Sequence, residues 1–146
     1  MFNIKAFYGL LPNIENELLS QLHNQIFTSN DDLNERISRK NEALTLITYK
    51  DNEIVGYKIG YKQESTKFYS WLGGVKENYR NHGIAQKLIE EQMKLLKVKD
   101  YTKVQTKTFN KWKSMLILNI KNDFQIIDSY KDLKGDIAII LEKEIK

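Results

Sequence analysis

From Lys67 to Thr108 the chain changes hydrophobic period twice, and this restricts its possible folds more than any other feature of its 146 residues. The run Lys67-Phe68-Tyr69-Ser70-Trp71-Leu72 reads as a strand that stops at Gly73-Gly74 before Val75. A short loop leads to Gly83, after which Ile84, Leu88, Met93, Leu95 and Leu96 mark an amphipathic helix ending near Lys99. Val104 to Thr108 then reads as a strand again. Strand, helix, strand places two strands side by side and parallel, because the crossover carries the chain back to its starting edge.

The flanking segments limit the rest of the sheet. Leu44 to Tyr49 and Ile54 to Tyr61 form a hairpin around a turn at Lys50-Asp51-Asn52-Glu53, and the strand from Lys67 extends it to a three-stranded meander. In the returning strand Val55, Tyr57, Ile59 and Tyr61 fall on one face and Gly56, Lys58 and Gly60 on the other. Upstream, Leu18, Leu19, Leu22 and Ile26 recur at helical spacing after Pro12-Asn13, and Asn30-Asp31-Asp32 can cap a shorter helix ending near Lys40. Downstream come a helix from about Asn110 to Lys121 and strands near Phe124 to Tyr130 and Ile137 to Leu141. The predicted architecture is α/β of the α+β kind. It has a mixed, largely antiparallel sheet of six to seven strands, about four helices on both faces, and one domain over residues 1–146.

Composition removes several kinds of chemistry. There is no cysteine, so disulfides, thiolate catalysis and cysteine-zinc sites are excluded, and His23 and His82 are too few to suggest a metal. The net charge of +4 comes from scattered residues, 20 of the 23 basic ones being lysine, which describes a solvated surface and argues against a nucleic-acid face. Neither a signal-like apolar start nor a membrane-length apolar run is present, which gives a cytoplasmic expectation without a membrane.

The sharpest chemical feature is Val75-Lys76-Glu77-Asn78-Tyr79-Arg80-Asn81-His82-Gly83-Ile84-Ala85. A strand end, a loop and a helix N-terminus make an anion site, because the first helical N–H groups lack partners and carry partial positive charge. Gly83 and Ala85 let a phosphate approach, and Arg80, one of three arginines, adds fixed charge.

The same segment resembles the acyl-CoA signature of the GNAT acyltransferase superfamily, Gln/Arg-x-x-Gly-x-Gly/Ala, here Arg80-x-x-Gly83-x-Ala85. The resemblance extends from the Leu44 hairpin through Gly73-Gly74-Val75 to Asn110 and Phe124. It implies acetyl-CoA as co-substrate and an amine as acceptor. It also implies pairing of the pantetheine arm with the backbone of Gly73, Gly74 and Val75, and a pyrophosphate cradle at Arg80, Asn81, His82, Gly83, Ile84 and Ala85. Asn110 and Asn119 fall on the family's Asn-containing helix, at its cofactor side.

Two departures stand out. Asn119 occupies the place, five residues before Phe124, where many members carry a tyrosine that protonates the departing thiolate, and an amide is no useful acid. Asp123 stands where the family favours Gly. The resemblance implies direct attack of a neutral amine on the thioester, with no covalent enzyme intermediate. It assigns no catalytic base: the strand from Phe68 to Val75 has no acid, Glu42, Glu53 and Glu64 are the nearest carboxylates, and His23 reads as lying on the polar side of its helix. Tyr57, Tyr61 and Tyr69 are candidates for lining the acceptor pocket. The competing reading is a catalytically silent acyl-CoA sensor or partner module of the same fold. The acceptor's identity and the oligomeric state, a homodimer included, stay open.

Overall fold

The computed structural model describes residues 1–146. In chain order the strands are β1 (Phe2–Tyr8), β2 (Leu44–Lys50), β3 (Glu53–Glu64), β4 (Lys67–Val75), β5 (Lys103–Phe109), β6 (Gln125–Lys131) and β7 (Ile137–Glu144). The helices are α1 (Asn13–Phe27), α2 (Leu33–Ile37), α3 (Ile84–Val98) and α4 (Lys113–Lys121). One sheet holds all seven strands in the order β1-β2-β3-β4-β5-β7-β6. Every pairing is antiparallel except β4 with β5, the pair joined through α3.

Two apolar clusters sandwich the sheet. On one face Leu19, Leu22, Leu33 and Ile37 of α1 and α2 pack on Ile47, Tyr57 and Ile59. On the other, Ile84, Leu88 and Leu96 of α3 pack on Leu46, Val55, Phe68 and Val104. The α2 cap is the expected one, Asp32 accepting from the Asn34 amide at 3.1 Å, but the helix ends at Ile37 rather than near Lys40.

Three features differ from the sequence reading. Strand β1 was not anticipated; it is an edge strand, largely exposed, and pairs only with β2. Val55 does not share a face with Tyr57. The β2–β3 register slips, Thr48 facing Gly56 and Tyr49 facing Ile54, so Val55 is an extra residue that turns into the α3 cluster. A bulge of this kind shifts the inside–outside alternation by one residue. A second slip, Ile59 facing Leu72 while Gly60 faces Ser70, leaves Trp71 as the extra residue in β4.

Candidate functional site

The parallel pairing of β4 and β5 lasts four residues, from Lys67–Lys103 to Ser70–Thr106. Beyond it β4 runs on to Val75 and β5 to Phe109 without touching, so the sheet forks. The Thr106 hydroxyl donates to the Ser70 carbonyl at 2.9 Å, closing the apex. β3 holds the other edge of β4, pairing through Gly73, Gly74 and Val75, which leaves the β5-facing edge open. A cleft of about 1270 Å³ fills the fork and is lined from both faces of the sheet.

On the α3 side the wall is the loop entering the helix. A 3₁₀ turn at Glu77–Tyr79 is held by Glu53, which binds the Lys76 ammonium and accepts from the Tyr79 hydroxyl at 3.2 Å. Arg80 Nε donates to the Val75 carbonyl at 3.2 Å, and the Arg80 amide to Glu77 at 3.3 Å. Asn81 and Gly83 both take left-handed backbone, at φ +66° and +79°. The amides of Asn81, His82 and Gly83 find no acceptor in the chain. Those of Ile84, Ala85 and Gln86 are the free first-turn donors of α3, whose first bond runs from Lys87 N–H to the Gly83 carbonyl at 3.0 Å. A Cβ added to Gly83 would meet nothing within 4 Å, and Gly83, Ala85 and Gln86 line the cleft. Successive free amides at a helix N-terminus beside an arginine fit a phosphate or pyrophosphate.

Of the residues singled out in the sequence, Gly73, Gly74, Val75, Arg80, Asn81, Gly83, Ala85 and Asn119 line the cleft. Three have side chains outside it. The His82 ring packs against Phe2 and Tyr79, Ile84 is buried in the α3 core, and the Asn110 amide ends β5 with a 2.8 Å bond to the Ile137 carbonyl. Asp123 adopts φ +68°. The Phe124 and Asp123 amides then bond back to the Asn119 and Ile120 carbonyls at 3.0 and 3.1 Å, a Schellman end in which Asp stands at the usual glycine position.

The opposite face carries groups that sequence reasoning missed. His23 is buried rather than on a polar face. Its Nδ1 lies 2.5 Å from the Tyr57 hydroxyl and its Nε2 3.1 Å from Asp31 Oδ2. Because a carboxylate only accepts, Nε2 carries the ring proton and Tyr57 donates to Nδ1. Arg36 also binds Asp31 Oδ2, at 3.0 Å, which leaves Oδ1 without a protein partner. Burial lowers His23 below its usual value against the pull of Asp31, so the ring is neutral at pH 7. Burial works to raise Asp31, but the His23 hydrogen bond and the Arg36 charge outweigh it and hold the carboxyl below its ordinary range. Desolvation raises Tyr57 and keeps its hydroxyl protonated. Asp31 is the one carboxylate lining the cleft; none of Glu42, Glu53 and Glu64 does.

Around this cluster the Tyr61 ring lies tilted 5.5 Å from Tyr69 and edge-to-face 5.7 Å from Trp71, with the Arg36 guanidinium 4.7 Å from the Trp71 ring centre. Tyr61 and Tyr69 line the cleft, whereas Tyr57 lies behind the His23 wall. Where the fork opens, the rings of Phe27 and Trp112 approach to 6.3 Å, α1 meeting the start of α4. No group of residues capable of holding a metal occurs, and no helix is long and apolar enough to cross a membrane.

No curated protein matches the chain in sequence. Among solved structures, an aminoglycoside 6'-N-acetyltransferase complexed with coenzyme A superposes with a TM-score of 0.84 at 14% identity, covering 99% of this chain and 97% of its own. The ribosomal-protein-S18-alanine N-acetyltransferase of Escherichia coli superposes at 0.81 with 13% identity, over 97% and 95%. An IAA acetyltransferase from Bacillus cereus gives 0.77 at 18% identity, over 99% of both chains. At such identities the likeness is one of fold. The profile of the Acetyltransferase (GNAT) family matches residues 11–112, which span α1 through β5 and the whole cradle loop. The chain is therefore a member of the GNAT acetyltransferase family.

Proposed function

We propose that this chain is an acetyl-CoA-dependent N-acetyltransferase that moves an acetyl group onto a primary amine of a small molecule or peptide by direct attack. It acts in the cytoplasm through a single domain over residues 1–146. The observation that carries the reading is the fork: a cradle of free amides opens on one face of the sheet, a carboxylate and aromatic rings line the other, and the unpaired stretch of β4 and β5 joins them.

In this reading the amides from Asn81 to Gln86, with Arg80, hold the pyrophosphate, while the open edge of β4 near Gly73, Gly74 and Val75 pairs with the pantetheine arm and polarises the thioester carbonyl. The free Oδ1 of Asp31 attracts an acceptor ammonium, and Tyr61 and Tyr69 offer it ring faces. Holding both partners in one cleft converts a bimolecular reaction into a local one. Two of the structural neighbours named above are N-acetyltransferases, which supports nitrogen as the attacking atom.

A second reading, a silent acyl-CoA sensor, draws on Asn119 standing where an acid is expected. Calorimetry with CoA and thiol release from acetyl-CoA over a panel of primary amines decide between them. Binding with release above the uncatalysed rate is the expected result. Binding with no release for any amine favours the sensor, and no binding at all overturns both.

A further inference from the structure

If this chain transfers an acyl group as proposed, the CoA thiolate must leave without help from a tyrosine on α4. We infer that Lys58 meets that thiolate and delivers its proton. Lys58 is the cross-strand partner of Gly73 on the open part of β4, on the face that carries the phosphate cradle. A Cβ added at Gly73 would lie 3.8 Å from Lys58 Cγ, so the missing side chain there leaves the lysine stem open to the cleft. Lys58 lines the main cleft together with Met115, Leu118 and Asn119 of α4. It also lines a small side pocket closed by Ala85, Leu88 and Ile89 of α3.

The ammonium has no counter-ion. No hydrogen bond or charge acts on it, and burial alone brings it down to about 8. Part of the side chain touches the cleft while its head is hemmed in by protein, so it is desolvated without being sealed off. No titratable side chain faces it from Gly73 and Gly74 of β4, from the first turns of α3, or from Met115 and Leu118 of α4. Tyr57 turns its hydroxyl to the opposite face, toward His23. The other cleft charges are the rim cations Arg80, Lys107, Lys111 and Lys113 and, across the sheet, the Asp31 group with Arg36. An unpaired cation in such a place is complementary to an anion that exists only as the reaction proceeds. A thiol ionises near 8.5, so an ammonium near 8 is matched to protonate it.

The step balances. The acceptor nitrogen bonds to the carbonyl carbon, the carbon–sulfur bond breaks with its electron pair on sulfur, and an Nζ proton passes to sulfur to give the free thiol. The neutral lysine then recovers the proton that the acceptor nitrogen sheds, through cleft water.

The test compares wild type with Lys58→Met and Lys58→Arg, arginine keeping charge but donating no proton in this range. In wild type, kcat with a fixed amine should fall above about pH 8 as Lys58 loses its proton. Both variants should lose that limb and roughly a hundredfold in kcat, a usual size for general acid catalysis, with KM for acetyl-CoA changed by less than about threefold, since ground-state binding is untouched. A second readout needs no turnover: the thiolate absorbance of bound CoA should appear at lower pH in wild type than in Lys58→Met, because the ammonium favours the anion. Lys58→Met turning over within about threefold of wild type with an unchanged pH profile, or bound CoA titrating alike in both proteins, would overturn the role of Lys58 while leaving the transferase reading in place. Failure of wild type to bind CoA would remove the transferase reading itself.

Discussion

Gly83 and Gly135 share a backbone state and little else. Both lie in the left-handed region, at φ +79° and +86°, and a Cβ on either would meet nothing within 4 Å. A side chain at either position carries the same backbone strain, about 1–2 kcal/mol, but only Gly83 overhangs the free amides. Gly83→Glu should therefore lower CoA affinity roughly a hundredfold, because blocking one or two charge-assisted hydrogen bonds costs about 1.5–3 kcal/mol each. Gly83→Val should cost less, and the extra loss with glutamate should shrink as salt rises. Gly135→Glu should bind CoA normally. Calorimetry on the three variants, with circular dichroism for folding, measures this; normal binding by Gly83→Glu would move the phosphate site elsewhere. The cradle was legible because its chemistry is local, a few backbone groups in sequence order. His23 was not, because its ring bonds to Tyr57, 34 residues away on β3, and no spacing along α1 records that partner.

Among the elements, those with a clear period were found in their proper order, while those defined by a partner were not. Strand β1 is exposed along most of its length and is a strand because β2 supplies its hydrogen bonds. The bulges at Val55 and Trp71 reverse which residues face which core, and nothing in an alternating pattern marks where it slips. The end of α4 shows the opposite case. Asp123 departs from the family's glycine yet takes the same left-handed geometry, which Asp tolerates better than most residues. Asp123→Ala should thus destabilise the fold by about 1 kcal/mol while Asp123→Gly does not, as read from urea midpoints at constant slope. An alanine variant as stable as wild type would mean that the helix end relaxes to another geometry.

For the whole molecule, the single parallel pair of the seven-stranded sheet follows from the strand–helix–strand passage around α3, and the near-complete superposition on solved acetyltransferases at 13–18% identity shows how little specific sequence that outline needs. On the cleft face opposite α3, Tyr61 and Tyr69 were legible as lining candidates, but Asp31 and Arg36, which pair locally, were not, because they meet those rings only once the sheet has formed. The fork itself carries one further consequence. A sheet normally shields its central amides from the solvent, yet here the middle strands of the molecule part company beyond Ser70 and Thr106. Backbone protons on the open edge of β4 should exchange with deuterium far faster than their neighbours in β2 and β3, although they lie near the centre of the fold. Adding acetyl-CoA should slow them selectively, together with the amides from Asn81 to Gln86. A peptide spanning Trp71 to Val75 that is already slow in the free protein would mean that the two strands close in solution and that the gap opens only on demand.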